Sequence, residues 1–149
     1  MSDAVIRSAR ESDLPSVEKL VVGLIGSLAD GEGTNVETVL ENSRGVLRDA
    51  NAHILLAEDD GAVVGLVSFS TRRTLTHEGL SGLIDELIVG EGHRGRGVGR
   101  QLVRAAVYRC RELGCCEVEV STEFSNAEAR EFYRSCGFKE RGVILEMDL

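Results

Sequence analysis

Residues 82–113 hold the segment that most restricts what this chain can fold into. An apolar, β-rich run at 82–89 (GLIDELIV) passes into GEGHRGRGVGR, and a helical pattern then fills 98–113 without a pause. A strand ending in glycines that open a helix leaves unpaired N–H groups and a partial positive charge at that helix start, a site for anions. Gly95, Gly97 and Gly99 remove Cβ atoms where a phosphate must come close and permit turns that other residues resist. Arg94, Arg96 and Arg100 add bidentate donors. A diphosphate is the predicted guest. The bland alternative is a glycine-rich turn with its arginines facing solvent, since glycine loops are common punctuation. Two familiar phosphate loops are excluded: the Walker pattern needs a lysine that is missing here, and Arg100 stands where the last glycine of GxGxxG belongs.

The rest of the pattern supplies a scaffold. A short strand at 4–7 precedes a helix that Asp13 can cap, with Pro15 in its first turn and Leu14, Val17, Leu20, Val21, Leu24, Ile25 and Leu28 at helical spacing. DGEGTN ends it. Thr34 and Glu37 have capping-box spacing for a second helix carrying Val36, Val39, Leu40 and Leu47. HILLAE and AVVGLVSFS form a hairpin around Asp59, Asp60 and Gly61. After the 98–113 helix, Gly114 is a stop and CEVEV (116–120) an alternating strand. Asn126 caps a helix with Ala129, Phe132, Tyr133 and Cys136 on its inner side, Gly137 ends it, and GVILEMDL (142–149) reads as a final strand. Antiparallel hairpins feeding a βαβ unit predict a mixed sheet with helices on its faces, the strands flanking the 98–113 helix being parallel neighbours.

Bulk properties fit one soluble domain over 1–149, 42% hydrophobic and 28% charged. A net charge of −8 argues against non-specific nucleic-acid binding and suits a cationic partner. The N-terminus lacks the apolar core of a signal peptide, and the apolar stretch at 20–29 is too short and too interrupted to span a bilayer. No membrane association is expected. Cys110, Cys115, Cys116 and Cys136 have neither zinc nor disulfide spacing, so buried reduced thiols and a cytoplasmic location are expected. His53, His77 and His93 are scattered, which predicts no metal site and, for His77, a surface position.

Arg94, Gly97 and Gly99 resemble the Arg/Gln-x-x-Gly-x-Gly/Ala loop of the GNAT superfamily of N-acetyltransferases. Asn126, Ala129, Phe132, Tyr133, Gly137 and Phe138 are similar to a second motif of that family, and IRSARESDLPSVEKL to its first strand and helix. The resemblance implies an acyl-CoA N-acyltransferase fold, an α/β (α+β mixed) architecture with a mixed sheet of six or seven strands and about four helices. It implies acetyl-CoA as co-substrate, its pyrophosphate held by the backbone at Arg94, Gly95, Arg96, Gly97, Val98, Gly99 and Arg100, with Asn126 and Tyr133 at the same site. It further implies that strands 82–89 and 116–120 splay apart to admit the pantetheine arm. A bulge near Leu87, Ile88 and Val89 would free backbone groups to pair with pantetheine and polarise the thioester carbonyl.

Acetyl transfer to an amine requires removal of a proton, stabilisation of a tetrahedral oxyanion and protonation of the departing thiolate. Tyr133 matches the family tyrosine that donates the last proton; its structural alternative is a ring packed on the core with the hydroxyl at the rim. Glu86, placed by strand alternation on the face opposite Asp85 and Leu87, is the first choice of base, with Asp85, Glu123 or water as rivals. No cysteine context shows an activating base, so direct transfer is expected rather than an acetyl-enzyme. In the family the acceptor cleft lies between the loops at 30–35 and 74–82, where Asp30, Glu32, Glu78 and Glu86 favour a cation. The acceptor is expected to be a primary amine of a small metabolite or antibiotic. The alternatives are a protein lysine or N-terminus, or a non-catalytic acyl-CoA sensor. The apolar alternation of 142–149 on an edge strand allows a homodimer.

Overall fold

The computed structural model describes residues 3–27 and 35–149. The chain runs β1 (Val5–Ser8), α1 (Leu14–Ser27), α2 (Val36–Arg48), β2 (Ala52–Asp59), β3 (Ala62–Arg72), β4 (Leu80–Val89), α3 (Val98–Glu112), β5 (Cys115–Val120) and α4 (Ala127–Ser135). Short 3-10 turns at Glu11–Asp13 and Glu91–His93 precede α1 and α3. The sheet order is β1-β2-β3-β4-β5, with every pair antiparallel except β4 and β5. The parallel pair flanks α3, as a crossover of that length requires.

Alternation along the strands sorts the core into two layers. Leu55, Ala57, Val67, Phe69 and Ile84 face Val98, Leu102, Val103, Ala106 and Cys110 of α3, with Phe132 and Tyr133 of α4 and Cys136 at its end packed beside them. Ile54, Leu56, Leu66 and Ile88 face Val17 of α1, with Leu47 of α2 at the margin. The α3 side is the heavier layer, and Leu102 and Phe69 are fully buried in it. The hairpin between β2 and β3 closes as the Asp-Gly signal predicts, with positive φ at both Asp60 (50°) and Gly61 (80°).

Four sequence expectations need correction. First, Asp13 does not cap α1: its carboxylate takes two 2.8 Å bonds from the Arg7 guanidinium and one of 2.7 Å from the Arg10 N–H. A guanidinium fork outcompetes a cap because both bonds are charge-assisted, and Arg7 holds the Asp13 carboxyl down to about 2. Second, α2 is capped by Asn35, whose side chain accepts from Glu37 N at 2.8 Å. Thr34, Leu28, Asp30 and Glu32 lie outside the described residues. Third, the sheet has five strands among the described residues, not six or seven, because residues 142–149 form no strand and stand exposed. Fourth, burial holds for Cys110 alone of the thiols: Cys115 and Cys136 are half-buried and Cys116 is exposed. All four are free. No helix among the described residues is long and apolar enough to cross a membrane.

Candidate active site

The site begins where β4 and β5 part. Their pairing ends at Ile84 and Val120, and residues 85–89 continue alongside β3 only. The expected splay is present, and α3 with Phe132 and Tyr133 of α4 packs on one face of the sheet beside it. At the end of β4 the loop turns through Gly95 (φ 76°) and Gly97 (φ 84°), left-handed conformations that side chains resist, and no protein atom lies where a Cβ at either would stand. Gly97 occupies the N-cap of α3 and offers no capping side chain. The first backbone bond of the helix runs from Gln101 N to Gly97 O (3.1 Å), so the N–H groups of Gly95, Arg96, Gly97, Val98, Gly99 and Arg100 have no partner among the described residues. Six backbone donors without partners thus lie at a helix start, an arrangement suited to an anion.

The arginines divide. Arg94 donates its Nε to Val89 O (3.2 Å), fastening the loop to β4. Arg100 donates to Ser135 O (3.1 Å) and Ser135 Oγ (2.8 Å), tying α3 to α4. Arg96 is exposed. Asn126 caps α4 through its side chain, accepting from Ala129 N at 3.0 Å. Gly99 lies beside α4: a Cβ there would make ordinary contact with the Phe132 ring at 3.5 Å. Tyr133 stands edge-on between Phe132 (5.1 Å) and Phe138 (5.7 Å). Its hydroxyl bonds to no protein group among the described residues, and burial, then the nearby Cys136, pushes it up to about 12. It is a protonated donor throughout the physiological range.

On the opposite face of the sheet, β4 carries a bulge. Ser68 pairs with Glu86 and Phe69 with Ile84, so Asp85 is the extra residue. The irregularity sits before Leu87, Ile88 and Val89 rather than at them, and it reverses the alternation. Ile84, Leu87 and Val89 face α3, and Ile88 faces α1. Glu86 and Asp85 come together on the α1 side, where two serines of β3 receive them. Ser68 Oγ donates to Glu86 Oε2 and accepts from Glu86 N (3.1 Å); Ser70 Oγ donates to Asp85 Oδ2 (3.3 Å). The expectation that Asp85 and Glu86 face apart is overturned, because strict alternation fails wherever a residue is inserted.

The two carboxylates differ in environment. Asp85 is exposed by surface area, yet neighbouring protein displaces water from enough of its carboxyl to raise it above its ordinary value, against the Ser70 hydrogen bond. Further along the same face, His77 Nε2 meets Glu117 (2.7 Å) while its Nδ1 meets Thr74 Oγ1 (2.5 Å), and buried Ser81 donates to Glu117 (3.3 Å). His77 is therefore half-buried within a polar chain, not a plain surface histidine. Val118 and Val120 pack on the α3 side, so alternation turns Glu117 and Glu119 to this acidic face as well.

A family model described as the acetyltransferase (GNAT) family matches residues 24–138. The chain belongs to that family. Among curated GNAT relatives, it is 31% identical to the aminoalkylphosphonate N-acetyltransferase of Salmonella typhimurium, over 91% of this chain and 84% of that one. It is 29% identical to the aminoglycoside N(6')-acetyltransferase type 1 of Stenotrophomonas maltophilia, over 99% and 95% respectively. Among solved structures, the aminoglycoside N-acetyltransferase AAC(6')-Iy in complex with CoA superposes with a TM-score of 0.86 at 20% identity, covering 100% of this chain and 96% of that one. The GNAT fold is thereby established, and the chain is an acyltransferase.

Within this GNAT chain, the structure brings together Leu87, Ile88 and Val89, the glycine loop, Gly99 against Phe132, and Tyr133. Glu123 is exposed ahead of α4 and gives its carbonyl to Asn126 N (2.9 Å). Sequence reasoning missed Ser68 and Ser70. Their signal was present: two serines two residues apart interrupt an otherwise apolar central strand, VVGLVSFS, so both must fall on one face.

Proposed function

We propose that this GNAT chain is one N-acetyltransferase domain over 1–149 that moves the acetyl group of acetyl-CoA directly to a primary amine of a small cationic metabolite or antibiotic. The observation that carries the reading is the gap beside residues 85–89, with open amides and a protonated tyrosine on one side and a gathered carboxylate pair on the other. The amides of Gly95, Arg96, Gly97, Val98, Gly99 and Arg100 fit a diphosphate, with Arg94 and Arg100 bracing the loop and Asn126 holding the start of α4. Backbone groups of Leu87, Ile88 and Val89 on the β5 side, apart from Val89 O, which Arg94 holds, suit the pantetheine arm and a developing oxyanion.

An ammonium on the acidic face gives its proton to a carboxylate, and the free amine attacks the thioester carbonyl. The tetrahedral adduct collapses, the C–S bond breaks, and the leaving sulfur takes the Tyr133 proton. Of the carboxylates, Asp85 suits the base best: its raised pKa matches the role and its single 3.3 Å bond leaves an oxygen free. Glu86, the base expected from sequence, is occupied by Ser68 and helps to hold the cation. A thiol of pKa about 8.5 is a fair leaving group, so Tyr133 assists a departure that is already feasible.

The acidic face, with Asp85, Glu86, Glu117 and Glu119, supports an acceptor carrying more than one positive charge. The relatives named for aminoglycoside, glucosamine 6-phosphate and aminoalkylphosphonate support a small molecule over a protein lysine. Release of free CoA thiol from acetyl-CoA, measured against polyamines, aminoglycosides, phosphorylated amino sugars and lysine peptides, tests the proposal. Turnover with polycationic small amines is the expected result. Turnover confined to peptides would overturn the acceptor class, and binding of acetyl-CoA without thiol release would make the chain a sensor.

A further inference from the structure

We propose that the cavity between α2 and the start of α1 is a second anion site, one that takes a phosphate dianion, free or carried by a small metabolite. The cavity, of about 290 Å³, is lined by Ala9, Arg10, Glu11, Arg44, Leu47 and Arg48. Three cations surround it on a chain whose net charge is −8. Arg44 and Arg48 stand one turn apart on α2, where like charges repel, and Arg10 is brought to them from another element. Little offsets these charges. Arg44 forms no hydrogen bond or ion pair among the described residues. The Arg10 guanidinium forms none either, and only adds its charge to that of Arg7 in holding the Asp13 carboxyl down. Arg48 reaches Glu11 at 3.7 Å with both side chains well exposed, a weak pair in water. A helix dipole favours a cation in the last turn, which accounts for Arg48 but not for Arg44 or Arg10.

Backbone groups add to the guanidinium donors. The 3-10 turn Glu11–Asp13 runs straight into α1, Leu14 being helical at φ −51° and ψ −43°. The first bond of this helical run is from Asp13 N to Arg10 O (2.9 Å), so the N–H groups of Glu11 and Ser12 have no partner among the described residues. A helix start thus stands beside the three arginines, and both favour an anion. Guanidinium forks match phosphate oxygens two at a time. Three forks and two amides offer more donors than one carboxylate can accept, whereas a phosphate dianion presents three charged oxygens. Ala9 and Leu47, both half-buried, supply an apolar floor for a short carbon body. The place is separate from the acetyl-transfer gap. Ala9 N bonds to Ile54 O of β2 (2.9 Å), which sets the cavity at the β1–β2 end of the sheet. Three strand spacings, roughly 14 Å, part β1 from β4.

The test does not depend on acetyl transfer, because it reads binding residue by residue without turnover. The full chain is titrated at constant ionic strength with glycerol 3-phosphate, inorganic phosphate, succinate and chloride, and its backbone amide and arginine Nε–H signals are followed by NMR. Saturable shifts are expected at the Glu11 and Ser12 amides and at Arg44 and Arg48, with either phosphate at least about tenfold tighter than succinate. Tighter binding of the ester than of inorganic phosphate makes the ligand a phosphorylated metabolite; equal binding makes it the free ion. Arg44→Gln combined with Arg48→Gln, both at exposed positions, is expected to weaken binding at least about 30-fold. Any response at Gly95–Arg100 is expected to persist in that variant, which keeps the two anion sites distinguishable. Should the double variant misfold, Arg10→Gln on the other element is expected to weaken binding in the same way. Succinate or chloride binding as well as phosphate overturns the proposal. So do shifts confined to Gly95–Arg100, or unchanged phosphate affinity in a folded variant.

Discussion

The two sides of the β4 gap are built from different materials. On the α3 side the proposed recognition groups are backbone amides, held by the left-handed turns at Gly95 and Gly97 and by the start of α3. On the α1 side they are carboxylates, brought together by an inserted residue and received by serines from the neighbouring strand. Backbone sites tolerate change in the side chains around them and fail when the chain path changes. Side-chain sites have the opposite sensitivity. Binding of the shared donor molecule and choice of acceptor can therefore vary separately within one domain.

Substitutions that act on one side and spare the other would break or sharpen that contrast. The largest effect is expected at the carboxylate pair. Asp85→Asn lowers turnover on the order of 100-fold with acetyl-CoA affinity unchanged, whereas Glu86→Gln raises the acceptor's KM more than it lowers kcat. Steady-state kinetics with calorimetry on acetyl-CoA reads both, and equal kcat losses in the two variants would erase the distinction drawn between them. Next comes Tyr133→Phe, which keeps the ring and its contacts with Phe132 and Phe138. It lowers turnover about 30-fold, less than a base because the thiol leaves readily, and leaves binding intact. A change within twofold would make Tyr133 a packing residue.

On the backbone side, Gly97→Val forces a β-branched residue into φ 84° and weakens acetyl-CoA binding at least about tenfold, or ~1.4 kcal/mol. Acceptor KM at saturating acetyl-CoA stays as in the parent, and unchanged cofactor affinity in a folded variant would displace the diphosphate from the loop. The smallest effect belongs to Ser70→Ala. Its hydroxyl donates to the Asp85 carboxylate and favours the charged form, so removing it raises the Asp85 pKa further. A base must be unprotonated, and activity falls as pH drops through its pKa. The acidic limb of kcat/KM therefore moves to higher pH, with about a threefold loss below it. An unmoved limb would assign the base elsewhere.

How much of this was legible beforehand follows from the same contrast. The glycine loop, the capping Asn126 and the Asp60-Gly61 turn were readable because each depends on a few consecutive residues and on local conformation. Asp13 was misread as a cap because its partner, Arg7, lies on another element, where a tertiary ion pair outcompetes a local bond. Glu86 and Asp85 were placed on opposite faces because alternation presumes an unbroken ladder. The insertion that breaks it is fixed by register against Ser68 and Phe69, residues far away in sequence. The arm at 142–149 was misread as a final strand: the apolar alternation is there, but among the described residues no strand pairs with it.

By itself, then, the sequence determined the order of elements through α4, the parallel crossover around α3, the glycine-led helix start with its open amides and the tyrosine of α4. Each is written in short-range periodicity, in conformational demands of single glycines or in motif spacing. Only the tertiary structure decided which carboxylates share a face, that Ser68 and Ser70 hold them, that Arg100 braces α4, and that residues 142–149 pair with no strand among the described residues. Those are matters of register and long-range pairing, where a one-residue shift turns a side chain to the other side of the sheet and no local pattern records it.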